Sequence, residues 1–111
     1  MTRMIDVILL SPFRKAAKKL FSEAELVALS DFLGNHPGKG DVILGTGGLR
    51  KLRWAFAGRG KRGGSRVIYY YHQPEWQLLL LTAYAKSEKE NLAEREKKLL
   101  AALVKKILKQ E

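Results

Sequence analysis

Cysteine is absent from the 111 residues, which excludes disulfides and thiolate metal sites and leaves the redox compartment open. Only two histidines, His36 and His72, are present, so a zinc-type centre lacks its usual ligands. No apolar run approaches the roughly 20 residues that a membrane-spanning helix needs. The opening MTRMIDVILLSPF has a short apolar stretch, but no small-residue cleavage site comes after it, so it reads as a core strand and not as a signal peptide. A cytoplasmic location is the expectation. Acidic residues are missing from Val42 to Pro74, which argues against a paired-carboxylate mechanism or a Mg²⁺ site near that part of the chain. No G-x-x-x-x-G-K-[ST] loop is present, and Gly45-x-Gly-Gly precedes a strand where a phosphate-binding loop would open a helix, so it reads as turn chemistry.

What the chain has instead is unpaired positive charge. The formal net charge is +10. From Gly45 to Tyr71 the sequence carries Arg50, Lys51, Arg53, Arg59, Lys61, Arg62 and Arg66, with no acidic residue among them. Cations crowded without internal partners repel one another and await an external polyanion, of which nucleic acid is the commonest.

At this length the chain is read as one domain over residues 1–111, with no repeat or linker. Met4–Leu10 reads as a buried strand. Ser11-Pro12 opens a helix with Phe13, Ala16, Ala17 and Leu20 on one face. Ser22-x-x-Glu25 is a capping box for a second helix, which offers Val27, Leu29, Phe32 and Leu33 to a core and stops at Gly34-Asn35. From Leu49 the period becomes two, with Leu52, Trp54 and Phe56 alternating with Lys51, Arg53 and Ala55. Ser65–His72 and Trp76–Ala85 read as further strands around a turn at Gln73-Pro74-Glu75. Ser87-x-x-Glu90 offers another capping box for a last helix, Glu88–Lys109, with Glu94 and Lys98 spaced as an ion pair. The expected order is β-α-α-β-β-β-α, an α+β domain with an antiparallel sheet, two N-terminal helices and a C-terminal helix.

Basic side chains with a few hydroxyls suffice for one chemistry in particular. RNA carries its own nucleophile, the 2′-OH, so cleavage needs no cofactor or metal. It needs a base, charge stabilisation at phosphorus and an acid for the 5′-oxygen. Arg53 and Arg66 suit charge stabilisation, because guanidinium stays protonated and grips phosphate in a fork. Two cations ~4 Å apart at an effective dielectric of ~20 repel by about 4 kcal/mol, which can lower a lysine pKa by up to about three units. Lys51 or Lys86, crowded by arginines, is thus a candidate base. Tyr84, two residues from Lys86, is a candidate acid or stacking surface. The competing reading makes Lys51 and Arg53 a solvated strand face and Tyr69, Tyr70 and Tyr71 sheet filling.

At these same residues the chain resembles the RelE/HigB superfamily of bacterial toxins, in its HigB-like branch. The resemblance is carried by GDVILGTGGLRKLRW, GKRGGSRVIYYY, LLTAYAKSEKENL and the amphipathic C-terminal helix, in that order and spacing. It implies a type II toxin–antitoxin toxin, a metal-independent endoribonuclease that cuts mRNA in the A site of the 70S ribosome, with a small cognate antitoxin as partner. The family's basic positions fall on Lys51, Arg53, Arg66 and Lys86. Tyr84 is the nearest stand-in for its aromatic residue, and Ser87 stands where RelE has a further basic residue. Arg50, Arg59, Lys61 and Arg62 are expected to grip RNA backbone. Two other readings are a ParE-like DNA gyrase inhibitor of the same fold and a non-catalytic RNA- or DNA-binding module.

Overall fold

The computed structural model describes residues 4–55 and 64–109, and the expected strand residue Phe56 falls outside them. The described residues form β1 (Asp6–Leu9), α1 (Ser11–Leu20), α2 (Glu23–Asn35), β2 (Asp41–Val42), β3 (Arg50–Trp54), β4 (Ser65–His72), a 3₁₀ turn (Gln73–Glu75), β5 (Gln77–Ala85) and α3 (Glu94–Lys109). The sheet runs in the order β1-β5-β4-β3-β2. Three neighbouring pairs are antiparallel, as expected, but β1 lies parallel to β5. The connection from β1 begins with α1 and α2, long enough to permit that parallel return. The two-residue β2, which the loop composition hides, adds an edge beside β3.

Each sheet face is covered by one helical layer. Leu52, Val67, Tyr69, Leu78 and Leu80 pack with Phe13 and Ala17 of α1 and Leu29 and Leu33 of α2. Leu49, Ile68, Leu79, Leu81 and Tyr84 pack with Leu92 and with Leu100 and Val104 of α3. β5 is an interior strand covered on both faces, which accounts for its unbroken Leu78–Leu81 run. Ser22 and Glu25 make the reciprocal capping box that the sequence announces, with Ser22 N donating to Glu25 Oε1 at 2.8 Å. Val27, by contrast, is exposed.

Two local features shape the α3 side of the sheet and the loop that borders it. The first is a bulge in β5, where Ile68 pairs with Thr82 but Tyr69 pairs with Leu80. Strict alternation would send Tyr84 to the α1/α2 side with Leu78 and Leu80. The extra residue flips the phase, so Tyr84 joins the α3 side opposite Arg66. The second is the buried phenol of Tyr69, which accepts from Gly40 N at 2.8 Å and donates to the Pro37 carbonyl at 2.7 Å. It fastens the base of the 36–49 loop to the sheet. A Cβ on Gly40 would come within 2.8 Å of that ring, so the position has to be glycine. At the tip, Gly45, Gly47 and Gly48 all have positive φ, and Thr46 Oγ1 accepts from Leu49 N while donating to the Ile43 carbonyl. The GTGG segment is a turn.

Replacing Tyr69 by Phe strips both loop partners at once. Stability should fall by about 1–3 kcal/mol, read as a lower urea midpoint at unchanged slope.

Candidate nucleic-acid interface

The register aligns Arg53 with Arg66 across β3 and β4, and Arg66 with Tyr84 across β4 and β5. These three side chains therefore form one row on the sheet face that also carries α3. Lys51 lies two residues from Arg53 on the same face of β3. Beyond the row, Lys51 and Arg53 line an open concavity of about 270 Å³ together with Asp41, Val42, Ile43, Asn91, Leu92 and Lys97. Lys86 is exposed just past the end of β5, where its backbone N–H donates to the Gly64 carbonyl at 3.2 Å.

Arg50 does not join them. Alternation along β3 turns it away from Lys51 and Arg53, and its guanidinium donates to the carbonyls of Gly38 and Gly40 at 3.2 and 2.7 Å. Its charge holds the same loop that Tyr69 holds, a structural task that explains a cation there without RNA. Arg59, Lys61 and Arg62 lie outside the described residues.

The expectation of cations without internal partners is corrected by Glu90. The Arg66 side chain is only 4 % exposed, and it donates through Nε and Nη2 to the Glu90 carboxylate at 3.2–3.4 Å. A buried guanidinium without an anion would be costly, so this contact is what lets Arg66 sit in the sheet. The hydrogen bonds from Arg66, with its charge and those of Lys51 and Lys86, hold the Glu90 carboxyl below the usual carboxylate range. Lys51 Nζ donates to Asn91 Oδ1, next along the same segment. Lys51 is therefore not surrounded by arginines alone, as the sequence suggested.

The capping box expected at Ser87 and Glu90 is also corrected. Residues 86–93 form turns and irregular chain, and α3 starts at Glu94, with Glu96 accepting from Ala93 N at 2.9 Å. Glu90 is drawn to Arg66 and Leu92 is buried under α3, so the segment cannot wind into helix. Within α3, Glu94 pairs with Lys97 at 3.0 Å, one residue earlier than expected. Both Glu90 and Asn91 escaped the sequence reading. The available signal was the long acid-free stretch itself, since a buried arginine in it has to find its anion elsewhere.

Tyr84 is buried, and its hydroxyl donates to the Glu90 backbone carbonyl at 3.3 Å. Burial pushes its phenol pKa up, the Arg66 charge pulls it down, and Glu90 and Glu96 push it up. The net direction is upward, so the phenol keeps its proton at neutral pH. Lys89 Nζ stands 5.0 Å from the ring centre and pairs with Glu96 at 2.6 Å. The site thus has fork donors, a protonated phenol and ammonium groups along one face, an arrangement able to hold a phosphate and give up a proton.

Comparison with known proteins places the fold and the family. Residues 7–111 match the family model described as the RelE toxin of the RelE/RelB toxin–antitoxin system. The chain belongs to the RelE toxin family. Its fold is similar to that of the E. coli toxin RelE, solved in the free state as a double arginine-to-alanine mutant, with a TM-score of 0.58 at 14 % identity. The match covers 79 % of this chain and 90 % of that one. The RelE-like α+β fold and the toxin–antitoxin family are therefore established. Among the described residues, no helix is long and apolar enough to cross a membrane.

Glu90 and Glu96 both have carboxyl pKa values lowered by their hydrogen-bonded cations. A carboxylate depressed on folding contributes stability that is complete above its ordinary value of 4.5 and is lost as pH falls through the lower folded value. Thermal melts between pH 7 and pH 3 should show that acid loss, and Glu90→Gln should flatten part of it.

Proposed function

We propose that this RelE-family toxin is a ribosome-dependent, metal-independent endoribonuclease that cuts translated mRNA in the A site and so stops translation. The observation that carries the reading is the row Arg53–Arg66–Tyr84 with Lys51 beside it: fork donors for a phosphate, flanked by a phenol that retains its proton. The 2′-oxygen of the RNA attacks the adjacent phosphorus, forming a P–O2′ bond as the P–O5′ bond breaks. The products are a 2′,3′-cyclic phosphate and a 5′-hydroxyl. Arg66 and Arg53 stabilise the charge on the phosphorane oxygens. Tyr84 donates its proton to the departing 5′-oxygen. Lys51, beside the row on β3, serves as the base for the 2′-hydroxyl proton. Lys86, exposed beyond the strand end, grips the backbone, as do Arg59, Lys61 and Arg62.

The HigB-like placement rests on the GTGGLRK and GKRGGSRVIYYY motifs. A small cognate antitoxin would neutralise the toxin by masking the basic face or by blocking its entry to the 70S ribosome. Ribosomes as the target put its action in the cytoplasm. A gyrase-directed role would leave the aligned arginine–arginine–tyrosine row without a task.

The test is primer extension on a reporter mRNA translated in a reconstituted system, beside a ribosome-free control. Cuts in frame with codons, seen only with ribosomes, are the expected result. Tyr84→Phe should slow cutting by about 10²–10⁴-fold, and Arg53→Ala by about 10²–10³-fold, with circular dichroism unchanged. Intact mRNA with translation continuing would contradict the reading. Intact mRNA with stalled translation would mean a binder that does not cut.

A further inference from the structure

At Arg66, in the middle of this basic row, the anion is one the protein supplies itself, the Glu90 carboxylate. We propose that the Glu90 carboxylate occupies the seat of an RNA phosphate, and that a bound strand displaces it from Arg66. The inference rests on the RNA reading of this face.

The two partners differ in how they are held. Arg66 sits on β4, between β3 and β5, buried and fixed by the sheet. Glu90 belongs to an irregular connection, and its side chain is 47 % exposed. The carboxylate can leave, while the guanidinium cannot. Its contacts with Arg66, at 3.2–3.4 Å, are long for charge-assisted bonds, which run to about 2.7–2.9 Å. Three cations converge on it: Arg66 from β4, Lys51 from β3 and Lys86 from the turn after β5. Tyr84 from β5 bonds the Glu90 backbone carbonyl and not its carboxylate, so it does not hold the acidic side chain on Arg66.

Physical necessity links the two states. A buried guanidinium needs an anion at all times. Without RNA, Glu90 provides it, and the sheet can fold around a cation meant for another partner. With RNA, a phosphate oxygen pair offers the same fork geometry, and Lys51 and Lys86 favour whichever anion is present. Glu90 is then a competitor for the seat, and its charge weakens RNA binding.

The experiment measures anisotropy of a short, 2′-O-methylated and therefore uncleavable RNA with the full chain, without ribosomes. Wild type is compared with Glu90→Gln and with Glu96→Gln, which removes the same charge from a carboxylate held by Lys89 and the Ala93 amide. Glu90→Gln is expected to bind roughly tenfold more tightly, the scale of one competing charge pair near a surface, and Glu96→Gln to change affinity far less. Equal tightening by both variants would reduce the effect to net charge and overturn the proposal. So would weaker or unchanged binding by Glu90→Gln, or no binding by any form.

A second measurement needs no variant. In wild type with labelled glutamate, the Glu90 carboxyl should titrate nearer to 4.5 once RNA saturates the protein. Unmoved titration would overturn the proposal. Inorganic phosphate in place of RNA shows whether a free anion suffices to displace the carboxylate. None of these readouts depends on cutting, so a displaced Glu90 in a protein that cleaves nothing would sink the enzymatic reading alone.

Discussion

A guanidinium inside a sheet has to be matched by an anion, and the arrangement around Arg66 stems from that need. The side chain projects from β4, between β3 and β5, where burial makes its charge costly unless it is hydrogen-bonded and neutralised. Glu90 supplies the charge, which draws residues 86–93 out of helical geometry and delays α3 until Glu94. Tyr84 anchors the same segment through the Glu90 carbonyl, and Asn91 ties it to Lys51. One buried cation thereby organises a strand row, a turn and the start of a helix.

The scaffold supports this with two devices of backbone geometry. The β5 bulge changes the phase of the strand, so that Tyr84 faces Arg66 and not the α1/α2 core. The Tyr69 phenol and the Arg50 guanidinium both bond the Pro37–Gly40 stretch, fixing the loop whose Asp41–Ile43 portion walls the concavity beside Lys51 and Arg53. Arg50 and Arg66 are thus two different uses of one residue type. Arg50 satisfies carbonyls and stays in place, whereas Arg66 keeps a replaceable partner.

Much of this was legible in the residues themselves. The capping box at Ser22 and Glu25, the alternation of β3 and the turn at Gln73–Glu75 all come from local chemistry, and the structure has them. Alternation also put Lys51 and Arg53 on one face, but the cross-strand row with Arg66 and Tyr84 depends on register, which no single strand encodes. The parallel pairing of β1 escaped because its short apolar run carries no sign of its partner. Glu90 escaped for a related reason. Its spacing from Ser87 satisfies a helix-capping pattern, and a buried arginine distant in sequence overrides that local preference. Alternation also sets Arg50 on the face opposite Lys51, but its partners, the Gly38 and Gly40 carbonyls, belong to a loop that β3 alone does not encode.

The central claim is that this face, and the seat around Arg66 within it, receives the strand that the toxin cuts. The most direct measurement is a cryo-electron microscopy structure of the protein on a ribosome whose A-site mRNA is 2′-O-methylated and cannot be cleaved. The account predicts a phosphate of the A-site codon between Arg66 and Tyr84, Lys51 beside the 2′-oxygen, and the Glu90 carboxylate turned away. An mRNA strand lying over another face, or a protein bound with Arg66 still closed on Glu90 and no phosphate near it, would contradict the account.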